Sequence, residues 1–160
     1  MTEQNAYQAI FALPCARLGI RVENEALVGV DFLSRLGPLL KPSATLAKEV
    51  CAQLEGYCRN PDFHFDLPLQ LSGTAYQRRV WQALRNIPRG TALTYGGLAT
   101  QLASGPRAVG RACGDNKLPI IIPCHRVVAK SGPGGFMHHA QGAPLAIKAW
   151  LLQHEGWRAQ

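Results

Sequence analysis

A cysteine, a histidine and an arginine stand side by side in the string Pro123-Cys124-His125-Arg126. The thiolate is the nucleophilic form of cysteine, and a neighbouring imidazole or cation raises its population at neutral pH. Pro123 fixes the backbone entering the cysteine and stops the strand-like run Ile120-Ile121-Ile122 from continuing as a ladder. An arbitrary Cys–His pair is more often an inert buried thiol beside a surface histidine. The surroundings of this pair favour a reactive thiol.

Basic residues dominate the segment that contains this string. The chain has 17 Lys and Arg against 10 Asp and Glu, a formal net charge of +7 at pH 7. Residues 76–130 hold nine basic side chains and a single acid, Asp115, whereas the rest of the chain is nearly balanced. A one-signed segment attracts polyanions, most commonly nucleic acid, with an affinity that depends on salt. We therefore expect the reactive surface and the nucleic-acid surface to coincide.

Length and composition limit the class of protein. With 160 residues and a hydrophobic fraction of 47%, the chain can form one good core or two small ones. No apolar run approaches the roughly 20 residues needed to cross a bilayer. Residues 1–12 lack the basic and then apolar order of a signal peptide. The five cysteines are odd in number and irregularly spaced, which favours a reducing cytoplasm over a disulfide framework.

The cysteines and histidines give little support for a metal site. Cys51 and Cys58 are seven residues apart, so a helix would turn both towards its core-facing side. No CxxC pair is present, and His138-His139 lacks neighbouring ligands and is expected in a solvated loop. We expect neither a metal nor a cofactor.

The first part of the chain, residues 1–72, predicts an α/β scaffold domain. Alternating apolar residues around Glu23-Asn24-Glu25 predict a hairpin. A helix is expected from about Pro42-Ser43 to just before Asn60-Pro61, with a serine or threonine as its N-cap. Residues 63–71 have the pattern of an extended linker or edge strand. No catalytic cluster occurs in this part.

The second part, residues 73–160, predicts a mainly helical domain that carries the chemistry. Thr74 and Gln77 form a capping box for a helix that stops at Pro88. Two shorter helices are expected over residues 94–103 and 107–114, with Pro106 suited to the first turn of the second. That second helix is expected to pack through Ala108, Val109 and Ala112. Such a pair resembles a helix-turn-helix, although many helical hairpins bind nothing.

Arg107 begins the second of these short helices. A cation at this end opposes the helix dipole at a cost of about 0.3–1 kcal/mol. Either the surface tolerates that cost, or an arginine is needed where the helix approaches nucleic acid. The small neighbours Ala108 and Gly110 would allow the backbone to come close to a partner.

Several strings together resemble a known protein family. They are Arg107-Ala-Val-Gly110, Asn116, Ile121-Ile-Pro-Cys-His-Arg-Val-Val128 and Trp150-Leu-Leu-Gln-His-Glu-Gly156, with further matches in residues 73–95. In this combination they resemble the O6-alkylguanine-DNA alkyltransferases, closely over residues 65–156 and loosely before. The resemblance implies an α/β protein with a ribonuclease-H-like first domain and a winged-helix-like second domain.

The resemblance also implies a reaction. An alkyl group, chiefly methyl, would move irreversibly from O6 of guanine, and less from O4 of thymine, to Cys124 in a single turnover. The nucleotide would be flipped out of duplex DNA, with Arg107 filling its place from the minor groove. His125 would take the thiol proton through a water, and Glu155 would orient the imidazole. Weak sequence preference and a monomeric protein are expected.

The remaining functional positions follow from the same resemblance. Tyr95 would promote flipping and offer its hydroxyl to the purine N3, and Asn116 would brace the turn before Cys124. Val127 would contact the base through its backbone. Further DNA contacts are expected from the small or basic residues Ala108, Gly110, Arg111 and Arg126.

One segment, residues 131–144, is longer than the commoner family pattern. Phe136 and Met137 in this segment either line the alkyl pocket or pin the loop to the core. The range of alkyl groups that the protein accepts is therefore left open by the resemblance.

Two other classes of protein share parts of the pattern. A Cys–His hydrolase would need an oxyanion hole and would turn over, so stoichiometric transfer would exclude it. A non-enzymatic DNA-binding regulator would keep the basic helices without needing Cys124. The presence of Cys124 disfavours the regulator, and no additional regulatory domain is expected before the α/β half.

Overall fold

The computed structural model describes residues 6–139 and 142–158. The chain separates into two compact units, Met1–Leu71 and Ser72–Gln160. The architecture is mixed α/β, as the sequence predicts, with five α-helices and two small sheets in the described ranges. Within those ranges no helix combines the length and the apolar character that crossing a membrane requires.

The first unit contains a three-stranded antiparallel sheet, in the order β1 (Ala9–Ala12), β2 (Arg17–Glu23) and β3 (Ala26–Leu33). The predicted hairpin is confirmed as β2–β3. It closes at Asn24 and Glu25, whose φ angles of 49° and 62° suit the tight turn between two right-twisted strands.

Helix α1 (Thr45–Arg59) packs against this sheet through a buried stripe that includes Val50, Leu54 and Tyr57. The N-cap is Ala44, which makes no side-chain capping bond, so the predicted serine or threonine cap is wrong. The candidate hydroxyls fall one residue to either side of the cap position. Cys51 and Cys58 are only half-buried because they flank the stripe rather than form it.

The second unit is mainly helical, with α2 (Ala75–Arg85), α3 (Tyr95–Gln101), α4 (Pro106–Gly114) and α5 (Ala143–His154). Between α4 and α5 the chain passes through a 3-10 turn, Cys124–Arg126, that leads directly into a short strand. This strand, β5 (Val127–Val128), pairs in parallel with β4 (Leu93–Thr94). Because the pairing is parallel, α3, which follows β4, and the loop that follows β5 leave the pair at the same end.

The predicted capping box at the start of α2 is present. Thr74 Oγ1 accepts a hydrogen bond from the Gln77 backbone N–H at 3.0 Å, and Gln77 Oε1 accepts one from the Thr74 N–H at 2.9 Å. One turn further along α2, the buried Trp81 Nε1 donates to the Ala112 carbonyl at 2.9 Å. The capped helix is thereby joined to α4.

A four-residue turn, 102–105, joins α3 to α4. The Tyr76 hydroxyl lies 2.7 Å from Ser104 Oγ, and Arg79 donates to the Leu102 carbonyl at 2.8 Å, so α2 holds this turn in place. Pro106 begins α4, as predicted. Ala108 is exposed, and its predicted packing is wrong because Val109, Ala112 and Cys113 form the buried side of α4.

The isoleucine run before Cys124 is a turn, and the predicted strand is wrong. Ile120 has a φ of 76°, a left-handed conformation that β-branched residues rarely adopt. The Ile122 N–H donates to the Leu118 carbonyl at 2.8 Å, and the Cys124 N–H donates to the Ile122 carbonyl at 2.8 Å around Pro123. The three isoleucines are all buried. An apolar run indicates burial but does not by itself decide between a strand and a buried turn.

We expect Thr74→Ala to lower the free energy of unfolding by about 1 kcal/mol, because alanine leaves a helix-end N–H without its hydroxyl acceptor. Denaturant unfolding monitored by circular dichroism measures the change. The control is Thr100→Ala, since Thr100 Oγ1 bonds to the Gly96 carbonyl inside α3 without capping it. That variant should stay within about 0.5 kcal/mol of the unaltered protein. Equal losses in the two variants would contradict a specific capping effect.

Candidate active site

Cys124 lines a cavity of about 230 Å³ in the second unit. The cysteine is 3% exposed. The cavity combines the phenol of Tyr95, the thiols of Cys113 and Cys124, and the loop that follows β5. This loop, described over residues 129–139, is called the outer loop below. The lining of the cavity is Tyr95, Gly110, Cys113, Gly114, Cys124 and residues 135–139.

The Cys124 thiol is held in its protonated form at neutral pH. Burial raises its pKa to about 11, although a hydrogen bond from the Asn116 side chain and the charge of Lys148 act in the opposite direction. A thiol with this pKa is a poor nucleophile by itself. Efficient attack from Cys124 therefore requires a base that removes the proton as the new bond forms.

Asn116 holds the turn that presents this thiol. Its buried side chain donates from Nδ2 to the Ile122 carbonyl at 2.8 Å and accepts the Leu118 N–H on Oδ1 at 2.9 Å. Both bonds lie within the turn that contains the left-handed Ile120. Asn116 thus replaces the ladder partners that a strand would have supplied.

His125 and Glu155 form a buried pair behind Cys124. His125 Nε2 lies 2.8 Å from Glu155 Oε2, and both side chains are essentially inaccessible to solvent. Burial would raise the pKa of Glu155, but hydrogen bonds from His125 and Arg126 outweigh it and lower the pKa to about 2. Burial lowers the pKa of His125, and the Glu155 carboxylate opposes that shift. At neutral pH the pair is a neutral imidazole on an ionised carboxylate.

This charge state assigns the imidazole tautomer. An ionised carboxylate can only accept, so the neutral ring carries its proton on Nε2 and donates it to Glu155. His125 Nδ1 is then unprotonated. It is buried and has no hydrogen-bond partner among the side chains and backbone groups that the structure describes. The ring is consequently prepared to accept a proton on Nδ1.

Arg126 completes the carboxylate network. Its Nε and Nη2 donate to the two oxygens of Glu155 at 2.8 and 3.1 Å, and Nη1 donates to the Ile87 carbonyl at 2.6 Å. The side chain is only 15% exposed. The sequence assigned Arg126 to the DNA surface, but its guanidinium is already bound inside the protein. The structure favours a positioning role for it instead.

Tyr95 forms the side of the cavity next to the loop. Its hydroxyl donates to the Gly135 carbonyl at 3.3 Å, and burial raises its pKa to about 12. Gly134 has a φ of 73°, and a Cβ at this position would lie 2.8 Å from the Tyr95 ring. Glycine at 134 is therefore required both by the backbone and by the close approach of the tyrosine.

Lys148, which was not among the site residues predicted from the sequence, is buried in α5. Its Nζ donates to the carbonyls of Val127, Pro133 and Gly135 at 2.7, 2.6 and 2.8 Å. Burial lowers its pKa to about 8. A lysine between Ile147 and Leu151 on an apolar helix face was the available signal. Lys148 fixes the start of the outer loop and occupies the carbonyl of Val127, a residue that the resemblance expects to contact the base through its backbone.

The outer loop closes the cavity. Phe136 and Met137 both line it, and Phe136 is also buried, so Phe136 both lines the pocket and attaches the loop to the core.

Two further side chains of the cavity had no predicted role. Cys113 contributes a second thiol whose pKa burial raises well above its usual range. His138 and His139 are exposed in this loop, as expected, and His138 Nε2 also lies 2.8 Å from Asp115 Oδ1. Its partner lies far along the chain and leaves no local signal.

Helix α4 separates this cavity from a groove. Arg107, Ala108 and Arg111 are exposed and line the groove, which has a volume of about 550 Å³. Gly110 faces the cavity, where a Cβ would lie 3.8 Å from the Tyr95 ring. The basic surface and the thiol cavity are thus two sides of one short helix. Across the described parts of the chain, no three His, Cys, Asp or Glu side chains cluster as metal ligands.

Several known proteins are similar to this chain in sequence. Residues 75–157 match the family described as 6-O-methylguanine DNA methyltransferase, DNA binding domain. The chain is 35% identical to a methylated-DNA–protein-cysteine methyltransferase of Methanosarcina acetivorans, over 94% of this chain and 98% of that protein. It is 45% identical to the protein of the same name from Shigella flexneri, over 57% of this chain and 52% of that protein.

A solved structure matches as well. The crystal structure of Mycobacterium tuberculosis OGT in complex with DNA is 34% identical and has a TM-score of 0.76, covering 92% of this chain and 91% of that one. The matched family region contains Tyr95, Arg107, Cys124 and Glu155. On this evidence the chain belongs to the methylated-DNA–protein-cysteine methyltransferase family.

Proposed function

We propose that this protein repairs alkylated DNA by direct reversal. It moves the alkyl group, chiefly methyl, from O6 of guanine, and less from O4 of thymine, to Sγ of Cys124. The observation that carries the proposal is the buried Cys124 thiol, which faces a cavity while His125 and Glu155 stand behind it. The relative crystallised in complex with DNA supports duplex DNA as the partner.

The bond changes follow from the protonation states. Sγ of Cys124 attacks the alkyl carbon, the bond between that carbon and O6 breaks, and the electron pair leaves with the guanine. The thiol proton passes through a water to Nδ1 of His125. Glu155 then stabilises the imidazolium that forms, and Tyr95 offers its hydroxyl to N3 of the leaving purine.

The reaction ends after one cycle. The product is a thioether on Cys124, which has no leaving group that water displaces readily. The protein is therefore consumed stoichiometrically, which distinguishes it from a Cys–His hydrolase. A single transfer also suits a thiol that is buried and protonated until a substrate occupies the cavity.

The groove side of α4 binds the duplex. Helices α3 and α4 act as the helix-turn-helix of a winged-helix-like domain over residues 73–160, with α4 in the minor groove and residues 1–72 as a ribonuclease-H-like scaffold. Arg107 fills the space of the flipped nucleotide, and Ala108 and Arg111 on the same side allow close packing and phosphate contact. Gly110, on the cavity side of α4, allows close approach of the flipped nucleotide. A minor-groove helix reads a degenerate pattern, so sequence preference is weak, and the protein acts as a monomer.

The central test is the fate of the alkyl group. After reaction with a duplex that carries one O6-methylguanine, peptide mass mapping should find one methyl group on Cys124. Cys124→Ser should abolish transfer but retain DNA binding, because the groove is on the other side of α4. The matched control is Cys51→Ser, which removes a half-buried thiol from the first unit and should transfer normally. Methylation of another residue, or many turnovers per protein, would contradict the proposal.

A second test separates nucleotide flipping in the duplex from the alkyl-transfer reaction itself. Arg107→Ala should slow repair of a duplex lesion by about 100-fold while changing reaction with the free base O6-benzylguanine by no more than about threefold, because only the duplex leaves a space to fill. Arg35→Ala removes the same charge from an exposed site in the first unit and should leave both rates unchanged. Equal losses on the two substrates would assign Arg107 to another task.

A third test concerns the base. With the free base as substrate, His125→Gln should react about 10²–10⁴-fold more slowly at pH 7. The variant then depends on spontaneous thiolate, so its rate should rise about tenfold per pH unit towards the Cys124 pKa. The unaltered protein has a neutral His125 above pH 7 and should not show this rise.

The quantity measured between pH 7 and 9 is the reaction rate of the unaltered protein divided by that of His125→Gln. Lys148 has a lowered pKa of about 8 but is present in both proteins, so its titration should largely cancel in the ratio. The ratio should fall steadily with pH. A constant ratio would show that His125 does not take the thiol proton.

A further inference from the structure

The outer loop ends in a two-residue hairpin over the cavity. Phe136 and His139 exchange both backbone hydrogen bonds, at 2.8 and 2.9 Å. Between them Met137 and His138 have φ angles of 51° and 67°. Two successive left-handed residues without glycine are costly, so surrounding contacts must hold this turn.

The tip of the hairpin is tied to the helical frame. His138 Nε2 lies 2.8 Å from Asp115 Oδ1, and Asp115 Oδ2 accepts a hydrogen bond from Gln77 Nε2 at 3.0 Å. Asp115 is the C-cap residue of α4, and Gln77 belongs to the capping box of α2. Asp115 therefore joins the loop tip to the two helices that frame the cavity and the groove.

The His138 ring also closes directly onto the wall of the cavity. A Cβ built on Gly114 would lie 2.4 Å from His138 Nδ1, so the ring covers this glycine at contact distance. Gly114 and His138 both line the cavity. The start of the loop is held separately, because Lys148 donates to the carbonyls of Pro133 and Gly135. The loop is thus fixed at its root by a buried lysine and at its tip by His138.

We propose that His138, held by Asp115, is a specificity-determining residue that limits the size of the alkyl group reaching Cys124. This inference rests on the proposed function and adds a size limit to it. The tip contact is the weaker of the two attachments, since the side chains of His138 and Asp115 are 53% and 37% exposed, whereas Lys148 is buried. Loss of the pair enlarges the cavity at one wall and leaves the thiol network in place.

The measurement compares two lesions at one position of a duplex, O6-methylguanine and O6-benzylguanine. The quantity is the ratio of the benzyl to the methyl transfer rate under single-turnover conditions. A methylene-sized misfit in an apolar pocket changes discrimination by about 10–200-fold, so His138→Ala should raise this ratio by at least about tenfold. Asp115→Ala should raise it in the same direction, because it frees the same ring.

Three further variants separate the size limit from a general loss of structure. His138→Gln keeps a donor that can reach Asp115 and should return the ratio to within about threefold of the unaltered protein. Ser131→Ala alters an exposed residue of the same loop that does not line the cavity, and it should leave the ratio nearly unchanged. The double variant His138→Ala/Asp115→Ala should match the larger single effect, since residues that act through one contact are not additive.

The result that overturns the inference is an unchanged ratio in both His138→Ala and Asp115→Ala while methyl transfer continues. A rise in Ser131→Ala as large as that in His138→Ala would overturn it too, because any change in the loop would then suffice. If the unaltered protein transferred no methyl group to Cys124, the proposed function itself would fail together with this inference.

Discussion

The buried carboxylate of Glu155 is the group on which the rest of the site depends. Removing a carboxylate from water is costly unless opposite charge and hydrogen bonds surround it. Glu155 receives one hydrogen bond from His125 and two from Arg126, and Arg126 continues to the Ile87 carbonyl at 2.6 Å. Glu155 is the C-cap residue of α5. Its bonds to His125 and Arg126 therefore join α5 to the Cys124 turn, and Arg126 joins both to the residues just after α2. Loss of one partner from such a network costs about 3–5 kcal/mol, because a buried charge remains uncompensated.

The same network explains how a buried thiol can stay protonated and unreactive until a substrate is bound. Burial keeps Cys124 protonated, with a pKa of about 11, and keeps the His125 ring neutral through the opposite effect on a base. Neither group reacts alone. In the proposed mechanism, proton transfer to the ring occurs when a substrate carbon lies against the sulfur, and it creates an imidazolium beside an existing carboxylate. The protein needs no stored thiolate, which would be exposed to oxidation while it waits for a lesion.

Local signals in the sequence predicted local structure well. The Thr74 and Gln77 capping box, Pro106 at the start of α4 and the β2–β3 hairpin each depend on neighbours within a few residues, and each is present. The string around Cys124 likewise placed a thiol next to a histidine, and the structure finds the thiol in the lining of a cavity and the histidine buried. The isoleucine run wrongly predicted a strand, because apolar residues indicate burial and not conformation. The turn that they form is held by the side-chain hydrogen bonds of Asn116.

The missed features all involve partners far apart in the chain. Arg126 meets Glu155 across 29 residues, and His138 meets Asp115 across 23. Lys148 bonds three loop carbonyls that have no sequence signature. Only the fold brings these groups together, so the resemblance assigned Arg126 to the DNA surface, and the hydrogen bond of His138 to Asp115 left no signal in the sequence.

The protonation state of His125 tests the central claim most directly. Nitrogen-15 NMR of the imidazole in the intact, unreacted protein at pH 7 distinguishes the two tautomers from the doubly protonated ring. The account predicts a neutral ring with its proton on Nε2, shared with Glu155, and an unprotonated Nδ1. An imidazolium at this pH, or a neutral ring protonated on Nδ1, would leave Cys124 without an adjacent base and would contradict it.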